Sequence, residues 1–198
     1  MITLEQVRRA LRSYQPVAVN APEALPAAVA LILYEGTGGG GGGVEGLFIK
    51  RAQQAGDPWS GQVALPGGRR EPADADLLAT AVRETREETG IELTGVEQLG
   101  ALDDLYPRTP TLPPVVVRPH VFVVGARPAL VPDVEVERAF WVPLGRLGEP
   151  GVRRELTLTI RGVERTFPAY QLGDDVLWGM TERIITPFVD LVSRGARG

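Results

Sequence analysis

The run Gly68-Arg69-Arg70-Glu71-Pro72-Ala73-Asp74, followed after eight residues by Arg83-Glu84-Thr85-Arg86-Glu87-Glu88-Thr89-Gly90-Ile91, holds the most informative pattern in this chain. From Asp74 to Thr89 the spacing predicts a helix. Leu77, Leu78, Ala81, Val82 and Thr85 fall at i, i+1, i+4, i+5 and i+8, a single face at a period of 3.6. Asp74 is the predicted N-cap and Gly90 the natural stop. Glu84, Glu87 and Glu88 stand at i, i+3 and i+4, so their carboxylates share one side of that helix. Such grouping costs an isolated helix a few tenths of a kcal/mol per pair, roughly, and a bound hard cation reverses the sign. Oxygen-only ligation selects magnesium or manganese over zinc. A lone R-E-x-x-E-E run reads as a solvated helix face. What sets this one apart is its surroundings: a double-Gly turn at a strand end, an acid opening the helix, and a Gly closing it where the carboxylates stop.

Working outward, Gly61 to Leu65 is a short apolar strand leading into Pro66-Gly67-Gly68. Ala27 to Tyr34 and Val44 to Lys50 read as strands joined by the Gly-rich run Gly36 to Gly43. That run lacks the Lys-Ser/Thr or G-x-G-x-x-G context of a phosphate loop and reads as a flexible hairpin connection. Val96 to Leu105, Val115 to Val124 and Val134 to Val142 are expected strands, and Leu156 to Tyr170 a hairpin. A closing helix, Met180 to Ser193, is expected to bury Ile184, Ile185, Phe188 and Leu191 or their neighbours. At the other end, Met1 to Tyr14 is amphipathic, with Leu4, Val7 and Leu11 on one face, and Pro16 to Pro26 is an extended lead-in. Helices flanking a mixed sheet predict an α/β sandwich.

At 198 residues the chain is long enough for one sizeable core and short for two, so one domain with terminal extensions is expected. No uninterrupted apolar stretch reaches the roughly 18 residues that a bilayer span needs. The first helix also lacks the apolar centre of a secretory signal, so the expected location is cytoplasmic. With no Cys, thiolate nucleophiles, disulfides and Cys-ligated metals are excluded. The formal net charge of -4 gives no basic stripe for a nucleic acid polymer, and a small phosphorylated ligand fits better.

The quoted stretch resembles the Nudix box, G-x5-E-x7-R-E-U-x-E-E-x-G-U, with U a bulky apolar residue. Gly68, Arg83, Glu84, Glu87, Glu88, Gly90 and Ile91 match. Asp74 stands for the first Glu, Thr85 for the apolar U, and eight residues rather than seven separate Asp74 from Arg83. The resemblance implies a Nudix-type α/β/α sandwich over residues 27–198, preceded by the helix and lead-in of residues 1–26. It implies that Glu84, Glu87 and Glu88 bind Mg2+ or Mn2+, with a backbone carbonyl near Gly67 or Gly68 completing the shell. Glu87, Glu88 and Arg83 would form the catalytic set, Arg83 orienting the glutamates. Water would be the nucleophile.

Beyond the box, Gly61-Gln62-Val63-Ala64-Leu65-Pro66-Gly67-Gly68, Glu135-Val136, Phe140 to Leu144 and Trp178-Gly179-Met180-Thr181 resemble the coenzyme A pyrophosphatase branch. The implied reaction is hydrolysis of the pyrophosphate in a nucleoside diphosphate linked to another group, coenzyme A or a derivative first. ADP-ribose, nucleotide sugars or nucleoside triphosphates are the alternative substrates, and a non-catalytic ligand sensor is the rival reading. Arg51, Arg69 and Arg70 flank the Gly turn and are candidates for substrate phosphates. Trp59 and Trp178 are candidates for stacking on adenine. The general base is left open among Glu87, Glu88, Asp103, Asp104 and Glu135; His120, in an apolar strand pattern, is left out of the site. The expected partner is a small nucleotide-containing substrate, with no nucleic acid polymer and no membrane; a homodimer is compatible with the sequence.

Overall fold

The computed structural model describes residues 1–36, 43–55, 60–107, 114–160 and 162–194. The middle of the Gly36 to Gly43 connection and Trp59 lie outside the described residues. Among the described residues three α-helices, α1 (Leu4–Arg12), α2 (Leu77–Thr89) and α3 (Gly179–Arg194), accompany ten strands. The strands are β1 (Leu25–Gly36), β2 (Gly43–Arg51), β3 (Val63–Ala64), β4 (Gly67–Arg69), β5 (Glu97–Ala101), β6 (Val115–Val123), β7 (Val136–Pro143), β8 (Arg153–Ile160), β9 (Val163–Leu172) and β10 (Asp175–Trp178).

The main sheet runs β3-β2-β1-β6-β5, with β4 also on β1 and β7 also on β2. Only β1 and β6 among its described pairs are parallel, so the sheet is mixed, as expected. A separate antiparallel sheet, β10-β9-β8, contains the expected hairpin.

Alternation along β1 builds two cores at once. Ala27, Leu31 and Leu33 face a cluster that includes Val7 and Leu11 of α1 and Ile185 and Phe188 of α3. Ala28, Ala30 and Ile32 face the opposite cluster with Ala81 of α2. The sheet is thus covered by helices on both sides, an α/β/α sandwich with side chains alternating at period 2. The small side chains of Ala28, Ala30 and Ala81 let α2 lie close against the sheet, each of them fully buried. In α1 a capping box between Thr3 and Gln6 fixes the first turn, and Leu4, Val7 and Leu11 are buried as the periodicity requires.

Two expectations for α2 are corrected. The N-cap of α2 is Asp76, whose side chain accepts from Ala79 N–H, while Asp74 is withdrawn into a separate hydrogen-bond network. The extra residue of the box is therefore absorbed in the loop before the helix. The stripe that α2 buries is Thr80, Ala81, Thr85, Glu88 and Thr89, with Leu77, Leu78 and Val82 only half-buried at its edge. Turning the helix this way sends a glutamate inward. In α3 the buried apolar residues are Ile184, Ile185, Phe188 and Val192, the last a neighbour of Leu191, as expected.

Thr85 is fully buried, and its hydroxyl finds no partner among the described residues. A buried polar group left unpaired costs about 1–3 kcal/mol.

Candidate active site

The site begins where the sheet opens. β1 pairs with β2 only from Leu33 to Gly36, whereas at Ala27 to Val29 the neighbour of β1 is the short strand β4. Carboxylates of α2 meet this splayed edge at Gly67 and Gly68. A Cβ on Gly67 would collide with the Ala28 carbonyl oxygen, and one on Gly68 would coincide with the Glu84 carboxylate. Glycine is required at Gly67, where backbone atoms fill the side-chain volume, whereas a side chain at Gly68 would displace the Glu84 carboxylate.

Glu88 is buried, 4% exposed, and its Oε2 accepts the Gly67 N–H at 2.8 Å. Its Oε1 lies 3.5 Å from Arg51 Nη1. Burial pushes the Glu88 pKa up to about 8, against the opposing pull of the Gly67 N–H and of Arg51. Glu84 is also raised, again chiefly by burial and despite its contact with Arg83. Two desolvated carboxylates one helical turn apart therefore face one cleft of about 440 Å³. Val29, Leu65, Val115, Val117, Ile184 and Met180 supply apolar lining, and Gln54, Gln62 and Glu135 line the cleft as well. Thr181 ties α3 to this edge by donating its hydroxyl to the Val63 carbonyl at 3.1 Å.

Arg83 organises the helix face beside the cleft. Its Nε and Nη2 donate to the two oxygens of Asp74 at 3.0 Å each, Nη1 to Glu84 Oε1 and Glu87 Oε2 at 2.9 Å each, and Nη2 also to the Arg69 carbonyl at 3.1 Å. Every donor of the guanidinium fork is used. Asp74, 6% exposed, further accepts from Glu71 N–H and the Thr80 hydroxyl. The Arg83 guanidinium holds the Asp74 carboxyl well below the usual range, and Asp74 in turn raises Arg83. Asp74 thus anchors the arginine. Sequence reasoning did not find that role; its only signal was an acid in the first-Glu place of the box.

Not every candidate converges. Glu84, Glu88, Gly68, Arg51 and Arg69 line the cleft. Glu87 stands outside it with a side chain 47% exposed, held to Arg83. Arg70 also lies outside, its guanidinium donating to the carbonyls of Asp74 and Ala75. Trp178 packs against Phe167, with ring centroids 5.4 Å apart. His120 is buried away from the cleft, its Nδ1 3.2 Å from Gln98 Nε2. Among the described residues no three His, Asp or Glu side chains are gathered in a metal-holding arrangement. Arg83 draws Glu84 and Glu87 to itself while Glu88 turns to Gly67.

The NUDIX domain profile matches residues 24–161, a span that contains the splayed edge and all of α2. The chain belongs to the NUDIX domain family. Among Nudix relatives, the human mitochondrial coenzyme A diphosphatase NUDT8 is 33% identical over 150 residues, covering 72% of this chain and 60% of that protein. The uncharacterized Nudix hydrolase NudL of Yersinia pestis is 32% identical over 143 residues, covering 68% of this chain and 66% of its own. The chain thus spans less than two thirds of the length of either relative. A MutT/nudix family protein from Enterococcus faecalis superposes with a TM-score of 0.57 at 21% identity, over 98% of this chain and 69% of that one, in support of the Nudix fold. Among the described residues no helix is long and apolar enough to cross a membrane.

Proposed function

We infer that this chain is a divalent-metal-dependent pyrophosphohydrolase whose substrate is coenzyme A or a derivative. The observation that carries the reading is the pair of desolvated carboxylates, Glu84 and Glu88, facing one cleft beside Arg51. A hard dication offsets that repulsion and burial, and the donor set is all oxygen, so the residues present fit Mg2+ or Mn2+. Glu84 and Glu88 would hold the ion, with the Gly68 carbonyl as a further donor, and Glu87 would join them only on leaving Arg83, which holds it outside the cleft. Bound there, the metal neutralises charge on pyrophosphate oxygens and lowers the pKa of a coordinated water. Arg83, fixed by Asp74, orients Glu84 and Glu87. Arg51 and Arg69 face the cleft, where their charge attracts the phosphates. Arg70 is committed to the loop before α2, which favours a supporting role for it.

The choice of coenzyme A is supported by the similarity to NUDT8, whose name states that activity, and by the cleft position of Gln62 to Leu65 within the segment that resembles that branch. A product-resolved assay with magnesium over coenzyme A, ADP-ribose and nucleoside triphosphates tests it. The expected products from coenzyme A are 4'-phosphopantetheine and adenosine 3',5'-bisphosphate. Much faster hydrolysis of ADP-ribose or a triphosphate would overturn the substrate while leaving the chemistry, and binding without turnover of any of them would favour a ligand sensor.

A further inference from the structure

We propose that Glu135, on the loop between β6 and β7, accepts the proton of the attacking water, and that this loop is fastened to the end of α2 to hold it at the cleft. The proposal rests on the pyrophosphohydrolase reading above. The other acids are committed elsewhere. Asp103 accepts the Val17 N–H at 2.8 Å. Asp104 accepts the Val19 N–H at 3.0 Å and both arms of Arg118 at 2.7 and 2.8 Å. Both line a different groove beside α3, where they staple the extended lead-in to the body. Glu84 and Glu87 are held by Arg83, and Glu88 by Gly67 and Arg51. Among the described residues Glu135 is the one other carboxylate that lines the cleft, and its carboxylate makes no hydrogen bond or ion pair with them.

Its backbone, in contrast, is fixed from both sides. Asp133 Oδ1 accepts the Glu135 N–H at 2.8 Å, and the Glu135 carbonyl accepts the Ala52 N–H at 2.8 Å, one residue beyond Arg51. Further back in the loop, Val131 donates its N–H to the Thr89 carbonyl at 2.8 Å. The Val131 side chain rests on Gly90, where an added Cβ would come within 3.0 Å of Val131 Cβ. Gly90, with φ of 74°, therefore both ends α2 and leaves room for the loop. The same helix terminus that positions Glu88 also positions the loop of Glu135, which places a base and the carboxylate pair on one preorganised frame. Glu135 is exposed enough to return its proton to solvent.

In the step assigned to it, the water oxygen bonds to one phosphorus and its proton passes to a Glu135 carboxylate oxygen. The bond from that phosphorus to the bridging oxygen breaks, and the bridging oxygen leaves with the electron pair as part of the second phosphate. Glu135→Gln and Glu135→Asp, compared with wild type in the intact chain, test the assignment. Loss of a general base predicts a kcat about 100-fold or more lower for Glu135→Gln, with partial recovery in Glu135→Asp. KM, the magnesium concentration for half-maximal rate, and the affinity for a methylene-bridged coenzyme A analogue should each stay within about twofold of wild type, because a base acts on the water alone. A kcat within about threefold of wild type would overturn the proposal, since base removal is worth far more. So would a loss of analogue affinity or a rise in magnesium demand that accounts for the lower rate, because either marks a binding or ligating residue. A wild-type chain that turns over no pyrophosphate would end the underlying reading as well, and is recognised by its own inactivity.

Discussion

Glu88→Gln is expected to lower turnover by roughly two orders of magnitude or more while making the metal-free chain more stable at alkaline pH. The two effects share one cause. Burial holds the folded-state pKa of Glu88 at about 8, above its ordinary value of 4.5, so the folded chain binds a proton that the unfolded chain has released. The stabilisation from that proton is complete below the ordinary value and is lost as pH rises through the folded one. Metal-free wild type should therefore weaken between about pH 4.5 and pH 9, and Glu88→Gln should flatten that decline. At the alkaline end the variant should gain on the order of 2 kcal/mol over wild type. Urea unfolding in EDTA across this range, paired with initial rates in magnesium, measures both. Equal slopes for the two proteins would show that the buried carboxylate is already relieved by groups of the chain itself.

Asp74→Ala should produce the largest loss of stability near the site, about 3 kcal/mol, because it removes one partner of a buried ion pair and leaves the other without its anchor. Asp74 takes both arms of Arg83 together with the Glu71 N–H and the Thr80 hydroxyl, so one substitution unfastens the loop before α2 and the arginine that holds Glu84 and Glu87. Turnover should fall about tenfold or more through the loosened supporting contacts. The pH dependence runs opposite to that of Glu88. With the folded pKa held below the ordinary carboxylate value, the stabilisation is present above that value and lost as pH falls through the folded one. Wild type should thus weaken in acid, below about pH 4, more steeply than Asp74→Ala. Urea midpoints at pH 7 and in acid give the answer, and a loss under about 1 kcal/mol at pH 7 would mean that Arg83 is anchored by its other acceptors.

The legible parts of the fold were those written in local chemistry. Gly90 ends α2 in the left-handed conformation as its position demanded, and Leu4, Val7 and Leu11 bury the face that their spacing set. The Glu84 and Glu88 spacing likewise placed two carboxylates on one side of a helix. What stayed hidden depends on contacts distant in the chain. The choice of Asp76 over Asp74 as the cap follows from Arg83, nine residues beyond Asp74, competing for the Asp74 carboxylate. Val96 to Leu105 yields only Glu97–Ala101 as a strand, because Asp103 and Asp104 turn away to hold the lead-in segment. The splayed edge at β4, which brings the glutamates and Glu135 to a common cleft, has no periodic signature.

The central claim, that Glu84 and Glu88 hold a divalent cation in this cleft, is tested most directly by binding of Mn2+, followed as loss of the free-ion electron paramagnetic resonance signal at neutral pH. Wild type should take up Mn2+ saturably and release it to excess Mg2+, and a folded Glu84→Gln, Glu88→Gln double variant should bind about 100-fold more weakly or not at all, as expected when charged ligands are removed. Equal Mn2+ affinity in the wild type and the folded double variant would contradict the assignment.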